Sequence, residues 1–316
     1  MKIKKWGNGS GEVRIKNETW VTIENHEHYF GYSTESPNKQ YILRWHDDEL
    51  SVDAHGKENQ RNGFFILLAG NNILLYGEMA RPNDGHVANN GIFAFSDWGD
   101  RIFYIVDKEG KILLKHTFSA NFISSGLSSD GKWAACQIAD GDGPDSDKLA
   151  FFDVGAGKLL WQIEPDTGWA DSYEFDTEGR LLRLFYKDLG GFAYNFLGEF
   201  CDKDKWREQV LKNGSCWQII SIAQEALYIA RDTNNASAFQ SVLEILDKAL
   251  QKASKIEPKD PSQVHRLIGE TYELMGQKEN AVEHFEIAFK LYPKIGVVQK
   301  LKKLKSALNK YYNKMV

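Results

Sequence analysis

The sequence predicts an α+β protein with two domains, an antiparallel β domain over residues 1–204 and a helical domain over residues 205–316. Short apolar segments separated by turn residues recur up to about residue 200, which is typical of strands. Apolar residues then recur at helical spacing, and no Gly or Pro occurs between residues 216 and 254. The charge also changes sign: residues 1–204 carry 21 Lys/Arg and 32 Asp/Glu, a net −11, whereas residues 205–316 carry 18 and 12, a net +6.

Composition narrows the class of protein. Of the 316 residues, 42% are hydrophobic and 26% are charged, as in ordinary globular proteins with room for two cores. The basic segment Met1–Gly7 is not followed by an apolar stretch, and apolar runs such as Phe64–Ala69 are too short to cross a bilayer. The three cysteines, Cys136, Cys201 and Cys216, lack metal-site spacing. We therefore expect a cytoplasmic, bacterial-type protein with free thiols, no cofactor and no membrane contact.

Turn signals repeat along the β domain. Three turn dipeptides each precede an apolar strand, and their glycines lie 40 and then 48 residues apart. These dipeptides are Asn90-Gly91, Asp130-Gly131 and Glu178-Gly179. Each is followed by a hairpin whose turn ends in glycine, because glycine accepts the positive φ that such turns need. The hairpin glycines are Gly110, Gly157 and Gly198. A weaker fourth copy covers residues 36–45 and 63–76.

This period, with several strands per unit, resembles the WD-type and related β-propeller families over roughly residues 12–202. The resemblance implies an antiparallel β-propeller-like domain of about four to five blades. The Gly-His and Trp-Asp signature dipeptides do not occur at the expected places. An incomplete or open propeller and two packed antiparallel sheets therefore remain alternatives.

The helical domain begins with two segments that have apolar residues at helical spacing, residues 216–231 and 237–254. A third helix is expected to start at Asp260 as its N-cap, with Pro261 in the first position and Gln263 closing a capping box. The last helix, from residue 297 onward, has one apolar stripe and an opposite face rich in lysine.

One 34-residue window, residues 262–295, has small and aromatic residues at the positions where two crossing helices need them. Gly269 and Ala281 permit close crossing, Tyr272 and Phe285 fill the space between hairpins, and Gly276, Ala288 and Pro293 follow in register. This window resembles the tetratricopeptide repeat, although His265 stands where that family usually has Trp. Residues 216–258 resemble a degenerate copy, and the last helix resembles the capping helix of such arrays. The resemblance implies a C-terminal α-helical tetratricopeptide-like hairpin array.

A partner-binding groove is implied by the same resemblance. Exposed residues of the first helix of the repeat would line it, namely Gln263, Arg266, Glu270 and Glu273. Members that bind a peptide carboxylate have Asn where this chain has Glu270. The sequence therefore favours a partner that carries Arg or Lys.

Other polar segments are candidates for binding. Arg81, Asp84 and His86 lie in a predicted polar loop, which is either a ligand-holding loop at a propeller rim or an ordinary turn. The acidic segment Asp140–Asp147 is interpreted as a solvated hairpin tip rather than a Ca²⁺ loop, because Pro144 breaks the ligand spacing. His26 and His28, and residues 45–48, lack a third metal ligand. The lysines of the last helix are expected to be solvated, and binding of nucleic acid is disfavoured.

These features predict a non-enzymatic scaffold or adaptor that binds other proteins, with no catalytic, cofactor or metal residues. One alternative is an immunity-type protein that neutralises a bacterial toxin, since an acidic domain suits a basic partner. A second alternative is an enzyme or ligand-binding protein with its site at the propeller pore. The partner and the oligomeric state are left open by the sequence.

Overall fold

The computed structural model describes residues 1–5, 14–17, 20–23, 26–29, 31–47, 51–52, 58–59, 63–70, 72–233, 235–254 and 257–313. The description covers the backbone alone for residues 14–17, 20–23, 26–29, 51–52, 58–59, 311 and 312. The chain divides into two compact units, Met1–Asp202 and Lys203–Val316. The first unit holds the strands and the second the helices, so the mixed α+β class is confirmed.

The strands of the first unit follow one another in short hairpins. They are β1 Lys2–Lys5, β2 Arg14–Asn17, β3 Trp20–Ile23, β4 His26–Tyr29, β5 Tyr32–Glu35, β6 Tyr41–His46, β7 Ser51–Val52, β8 Glu58–Asn59, β9 Gly63–Ala69, β10 Asn72–Met79, β11 Pro82–Val87, β12 Phe93–Asp97, β13 Ile102–Val106, β14 Ile112–Thr117, β15 Phe122–Leu127, β16 Trp133–Ile138, β17 Leu149–Asp153, β18 Lys158–Ile163, β19 Ser172–Asp176, β20 Leu181–Tyr186 and β21 Gly190–Asn195.

These strands form antiparallel sheets that succeed one another along the chain. The first large sheet has five strands in the order β1-β10-β9-β6-β5, so the N-terminal strand lies at its edge. Two four-stranded sheets follow, β11–β14 and β15–β18, and then the three-stranded sheet β19–β21. Strands β2–β4 form a separate three-stranded sheet, and β7 pairs with β8. Among the described strands there is neither a closed barrel nor a closed propeller ring.

Hydrogen bonds between turns hold successive sheets side by side. Asn38, in the β5–β6 turn, donates its backbone N–H to Oδ1 of Asn89 over 2.8 Å. Asn90, in the β11–β12 turn, donates Nδ2 to the carbonyl of Asp130 over 2.9 Å, in the turn between β15 and β16. The turns of three consecutive sheets therefore lie at the same end of the unit.

Aromatic side chains fill the space between neighbouring sheets. Phe65 packs with Phe93 and Phe95, which joins the first sheet to the second. Phe103 packs with Phe122 and Phe152, which joins the second sheet to the third. The apolar strand segments are thus buried on faces that meet other sheets, which explains their near-continuous hydrophobic character.

Two predicted turns differ from the expectation. At Glu178-Gly179 the positive φ of 53° belongs to Arg180, because the N–H of Gly179 donates to Oδ1 of Asp176 and tightens the turn one residue earlier. After Gly198 the predicted return strand is only an isolated bridge between Tyr194 and Phe200. The hairpins at Gly110 and Gly157 are confirmed, and both glycines have positive φ.

The second unit is a set of helices packed as hairpins. They are α1 Lys203–Asn213, α2 Cys216–Thr233, α3 Ala236–Lys252, α4 Lys259–Leu274, α5 Lys278–Leu291 and α6 Val298–Tyr312, with a 3-10 turn at Pro293–Ile295. Helices α4 and α5 cross closely at Gly269, where a Cβ would lie 2.8 Å from the Phe285 ring. Ala281, Phe285 and Ala288 are fully buried, together with Leu304 of α6, so the apolar stripe of the last helix does pack on this hairpin.

The predicted cap of α4 is wrong. The helix begins at Lys259, after Pro258, and no side chain caps it. Asp260 instead lies in the first turn, where its negative charge is favourable to the helix dipole. Pro261 is tolerated there because first-turn N–H groups have no intrahelical acceptor to lose.

Candidate functional site

A groove of about 320 Å³ opens in the second unit between α2, α4 and α6. Arg266, Glu270 and Glu273 of α4 line it, as the sequence predicted, because residues three and four apart share one helix face. Gln263 lies one turn earlier on α4 and is not part of its lining. The three charged residues are half-buried, not fully exposed as expected, because side chains from two other helices approach them.

The sequence did not identify the other walls of the groove. Tyr228 and Arg231 come from α2, and Leu274 comes from the last turn of α4. Tyr228 is 61% exposed and Leu274 is 41% exposed, although both are large and apolar. One feature of the sequence could have indicated Tyr228. It falls outside the apolar stripe of α2, whose buried residues include Ile219, Ile222 and Ala230.

Lys300 of α6 lies close to both glutamates of the groove. Its Nζ lies 3.1 Å from Oε1 of Glu270 and 3.6 Å from Oε2 of Glu273. The same ammonium lies 5.6 Å from the centre of the Phe285 ring. The expectation that the lysines of the last helix are solely solvated is wrong at Lys300, and also at Lys305, which pairs with Glu286.

The two arginines of the groove are less completely paired. Nε of Arg266 lies 3.7 Å from Oε1 of Glu270, an oxygen that Lys300 already approaches more closely. That Nε is buried and has no hydrogen-bond partner within the described part of the chain. Nε of Arg231 lies 3.9 Å from Oδ1 of Asp232, and its guanidinium lies 5.4 Å from the Tyr228 ring centre.

The second predicted cluster lies in the first unit and is a strand, not a loop. Arg81 immediately precedes β11, and Asp84 and His86 belong to it. The pairing with β12 shifts register between Asn83 and His86, and Asp84 has a φ of 49°. A β-bulge here explains the turn-like sequence, and Gly85 is required because a Cβ would lie within 3 Å of Trp45 and Phe95.

The bulge points Asp84 toward the next sheet. Oδ2 of Asp84 accepts a hydrogen bond from Oγ of Ser125 on β15 over 2.7 Å. Oδ1 of Asp84 lies 3.2 Å from Nε2 of His86. Burial alone would raise the pKa of Asp84, but the contacts with His86 and Ser125 outweigh it and lower that pKa. The carboxylate therefore stays ionised and links the two sheets.

The Asp84, His86 and Ser125 cluster is not arranged as a nucleophile and base. Ser125 donates its hydroxyl to Asp84 and not to the imidazole, so His86 is not placed to remove its proton. Arg81 forms a bidentate ion pair with Asp47, with Nε 3.2 Å from Oδ1 and Nη2 2.8 Å from Oδ2. The described contacts of the three predicted residues are thus a link between two sheets through Asp84 and an ion pair between Arg81 and Asp47.

The remaining candidates from the sequence are the acidic loop Asp140–Asp147 and the histidine-containing segments near the N-terminus. In the Asp140–Asp147 loop, Asp145 accepts hydrogen bonds from Ser119 and Gln162, and Asp147 accepts one from Trp169. No cluster of three or more His, Cys, Asp or Glu able to hold a metal ion occurs among the described residues. The side chains of His26 and His28, and residue Asp48, lie outside the described part of the chain.

No protein-family model matches this sequence, and no curated protein is significantly similar to it. None of the helices that the structure describes combines the length and the apolar character needed to span a bilayer.

Proposed function

We propose that this protein is a non-enzymatic scaffold or adaptor that binds a segment of a partner protein in the groove between α2, α4 and α6. The observation that carries the proposal is the exposure of Tyr228 and Leu274 on that concave surface. Large apolar side chains grouped in one recess and surrounded by charged residues are typical of protein-binding surfaces.

The helical unit supports the proposal as a tetratricopeptide-like array. Within the α4–α5 hairpin, Gly269 faces Phe285, and the turn passes through Gly276 with a φ of 75°. Helices α2 and α3 supply a preceding hairpin, and α6 covers the last one. Arrays of stacked hairpins present their first helices on a concave face, which is where partners bind.

We interpret the first unit as an open, propeller-like arc of about four blades. Its successive sheets are linked by turn contacts at one end and by hydrogen bonds between their first strands. One such bond joins Asp84 of β11 to Ser125 of β15, and another joins Ser124 of β15 to Tyr173 of β19 over 2.8 Å. Regular radial packing of antiparallel sheets through their first strands is the arrangement that propeller blades have.

A capture experiment with matched variants tests the proposal. The full chain, a Tyr228→Ala/Leu274→Asp variant and a Phe289→Ala control are immobilised and exposed to lysate of the native host. Phe289 is a fair control because it is also apolar and 39% exposed, but lies on α5 outside the groove. We expect a protein that the wild type and the control retain and the groove variant does not. Retention of the same proteins by all three contradicts the proposal, provided that far-UV circular dichroism shows all three folded.

An immunity-type role is the second candidate, and the acidity of the first unit favours it. Residues 1–202 carry 20 Lys/Arg and 31 Asp/Glu, a net −11. Such a surface accelerates association with a basic protein. The test is coexpression with any toxin encoded beside this gene. Restored growth, together with a salt-sensitive complex, favours this role over a general adaptor.

A further inference from the structure

We propose that the groove recognises an amphipathic helix whose apolar face is flanked by acidic residues. This inference rests on the proposed function, because it specifies the partner of the same groove. It differs from the sequence-based expectation of a basic partner, which considered Glu270 without the residue that neutralises it.

The charged side chains of the groove favour an acidic partner. Three cationic side chains, Arg231, Arg266 and Lys300, face two carboxylates, Glu270 and Glu273. Lys300 lies within 3.6 Å of both carboxylates, so the glutamates are already satisfied inside the protein. The three cations exceed the two carboxylates by one positive charge, and this charge is on the arginines. The Arg231 guanidinium has the Asp232 carboxylate 3.9 Å away, and the Arg266 guanidinium has only the Glu270 oxygen that Lys300 approaches more closely among the described residues. A carboxylate supplied by a partner would pair with them, whereas a lysine or arginine would have to compete with Lys300.

Arg266 is the residue with which a carboxylate of the partner would pair. Its Nε is buried without a hydrogen bond to any described residue, and a buried donor left unpaired is costly. The nearest carboxylate oxygen, Oε1 of Glu270, is 3.7 Å away and is shared with Lys300. An acidic side chain that enters the groove would approach a guanidinium that still has unused hydrogen-bonding capacity.

A second exposed aromatic ring lies on the same side of α2 as Tyr228. Trp217 is 45% exposed and lies eleven residues before Tyr228, which places the two residues about 16 Å apart along the helix axis. A segment that covers both rings needs about three helical turns, so it runs along the groove and does not end in it. A chain terminus held only at Arg266 would leave Trp217 uncovered.

A cationic side chain lies close to each of the two exposed rings of α2, Trp217 and Tyr228. Nζ of Lys259 lies 5.6 Å from the centre of the Trp217 ring, and the Arg231 guanidinium lies 5.4 Å from that of Tyr228. Two apolar anchors, each with a cation next to it, match a helix with two apolar residues about three turns apart, each near an Asp or Glu.

The experiment is selection from a phage-displayed library of amphipathic helices of about 18 residues, long enough to span both rings. Leucines are fixed along one face, and the flanking positions are randomised to Asp, Glu, Lys, Arg, Gln and Ser. The full chain serves as bait, with Arg231→Glu, Lys259→Glu and Leu274→Asp as groove variants. Lys302→Glu is the matched control, since Lys302 is an exposed cation of α6 outside the groove.

We expect enriched helices rich in Asp and Glu, whose affinity falls about tenfold or more in the groove variants, falls with added salt, and is unchanged in the control. Enrichment of basic or uncharged helices that still depend on Leu274 overturns this inference and leaves the proposed function standing. Absence of any Leu274-dependent helix also overturns this inference, and the capture experiment then decides the proposed function separately. Circular dichroism of each variant separates lost binding from lost folding.

Discussion

The Nδ1 atoms of His265 on α4 and His284 on α5 lie 3.0 Å apart, so the two imidazoles are joined by a hydrogen bond across the helical hairpin. One ring must donate and the other accept, and a second proton would set two donors against each other. The ring of Tyr272 lies 5.6 Å from that of His284 and closes one side of the pair. His265 is the residue at which the sequence departs from the tetratricopeptide pattern that it resembles.

Stability of the helical unit is expected to fall as the pH is lowered through the titration range of this pair. Burial, and then the charge of His284, lowers the pKa of His265. Burial also lowers the pKa of His284, with partial opposition from the adjacent Glu283. Both histidines therefore bind protons more readily in the unfolded chain, whose imidazole pKa is about 6.5. Their contribution is fully present above that pKa and is lost as the pH falls below it.

The measurement is the urea midpoint of the full chain between about pH 7.5 and pH 5, compared with that of a His265→Gln/His284→Gln variant. The double variant should lose less stability over this interval than the wild type. The comparison is needed because His116 in the first unit also has a pKa lowered by burial and contributes in both proteins. Equal losses in the two proteins would show that the pair does not titrate with folding.

Gly269→Ala should destabilise the helical unit, although alanine is the better helix former. The new Cβ would lie 2.8 Å from Cδ1 and Cε1 of Phe285, which is fully buried and cannot move freely. Overpacking of this kind costs about 1–3 kcal/mol, whereas the helix propensity gained is about 1 kcal/mol. Urea denaturation of the variant checks the sign. Adding Phe285→Leu should recover part of the loss, and an alanine variant more stable than wild type would refute the close crossing.

The α4–α5 hairpin was predictable because its determinants are local. Gly269, Gly276, Ala281 and Phe285 lie within one helix–turn–helix segment, and each has a size or backbone requirement that the sequence displays. The glycine turns of the β domain were predictable for the same reason, since positive φ at Gly110 and Gly157 depends on adjacent residues. The β-bulge of β11 was not, because Gly85 is required by Trp45 and Phe95, which are distant in sequence.

The groove was predictable only where it depends on a single helix. The helical spacing of Gln263, Arg266, Glu270 and Glu273 assigned them to one face of α4, and the last three of them line the groove. Tyr228 and Lys300 come from helices whose approach is set by tertiary packing, and helical periodicity contains no information about it. Lys300 was interpreted as a solvated lysine, so its position 3.1 Å from Glu270 was not considered. The charge preference expected from the sequence is therefore opposite to the one now proposed.

Asp97→Ala should destabilise the first unit substantially. Asp97 is fully buried, and its carboxylate accepts backbone hydrogen bonds from Arg81 at 2.9 Å, Gly99 at 3.0 Å, and Ala80 and Asp100 at 3.3 Å. Alanine leaves these donors without their acceptor, at a cost of about 3 kcal/mol. Asp97→Asn retains one acceptor oxygen. Its free energy of unfolding, measured by urea denaturation, should lie between those of the wild type and of Asp97→Ala.

Asp107→Asn is the matched control for this buried carboxylate. Asp107 also accepts two backbone N–H groups in a turn, from Glu109 and Lys111, but its surroundings are exposed to solvent. Water replaces a lost acceptor there, so a change within about 0.5 kcal/mol is expected. Similar losses at Asp97 and Asp107 would show that burial does not determine the effect.

Lys300→Gln should shift the charge preference of the groove without unfolding it. The substitution removes the ammonium that lies 3.1 Å from Glu270 and 3.6 Å from Glu273, so both carboxylates become available to a partner. The stability loss should stay below about 1 kcal/mol, because Lys300 is 45% exposed and such pairs contribute little. Repeating the helix selection with this variant should enrich basic helices relative to the wild type. Lys303→Gln, on the exposed side of the same helix, should leave the selected charge unchanged. If both variants select the same acidic helices as the wild type, Lys300 does not determine the charge preference of the groove.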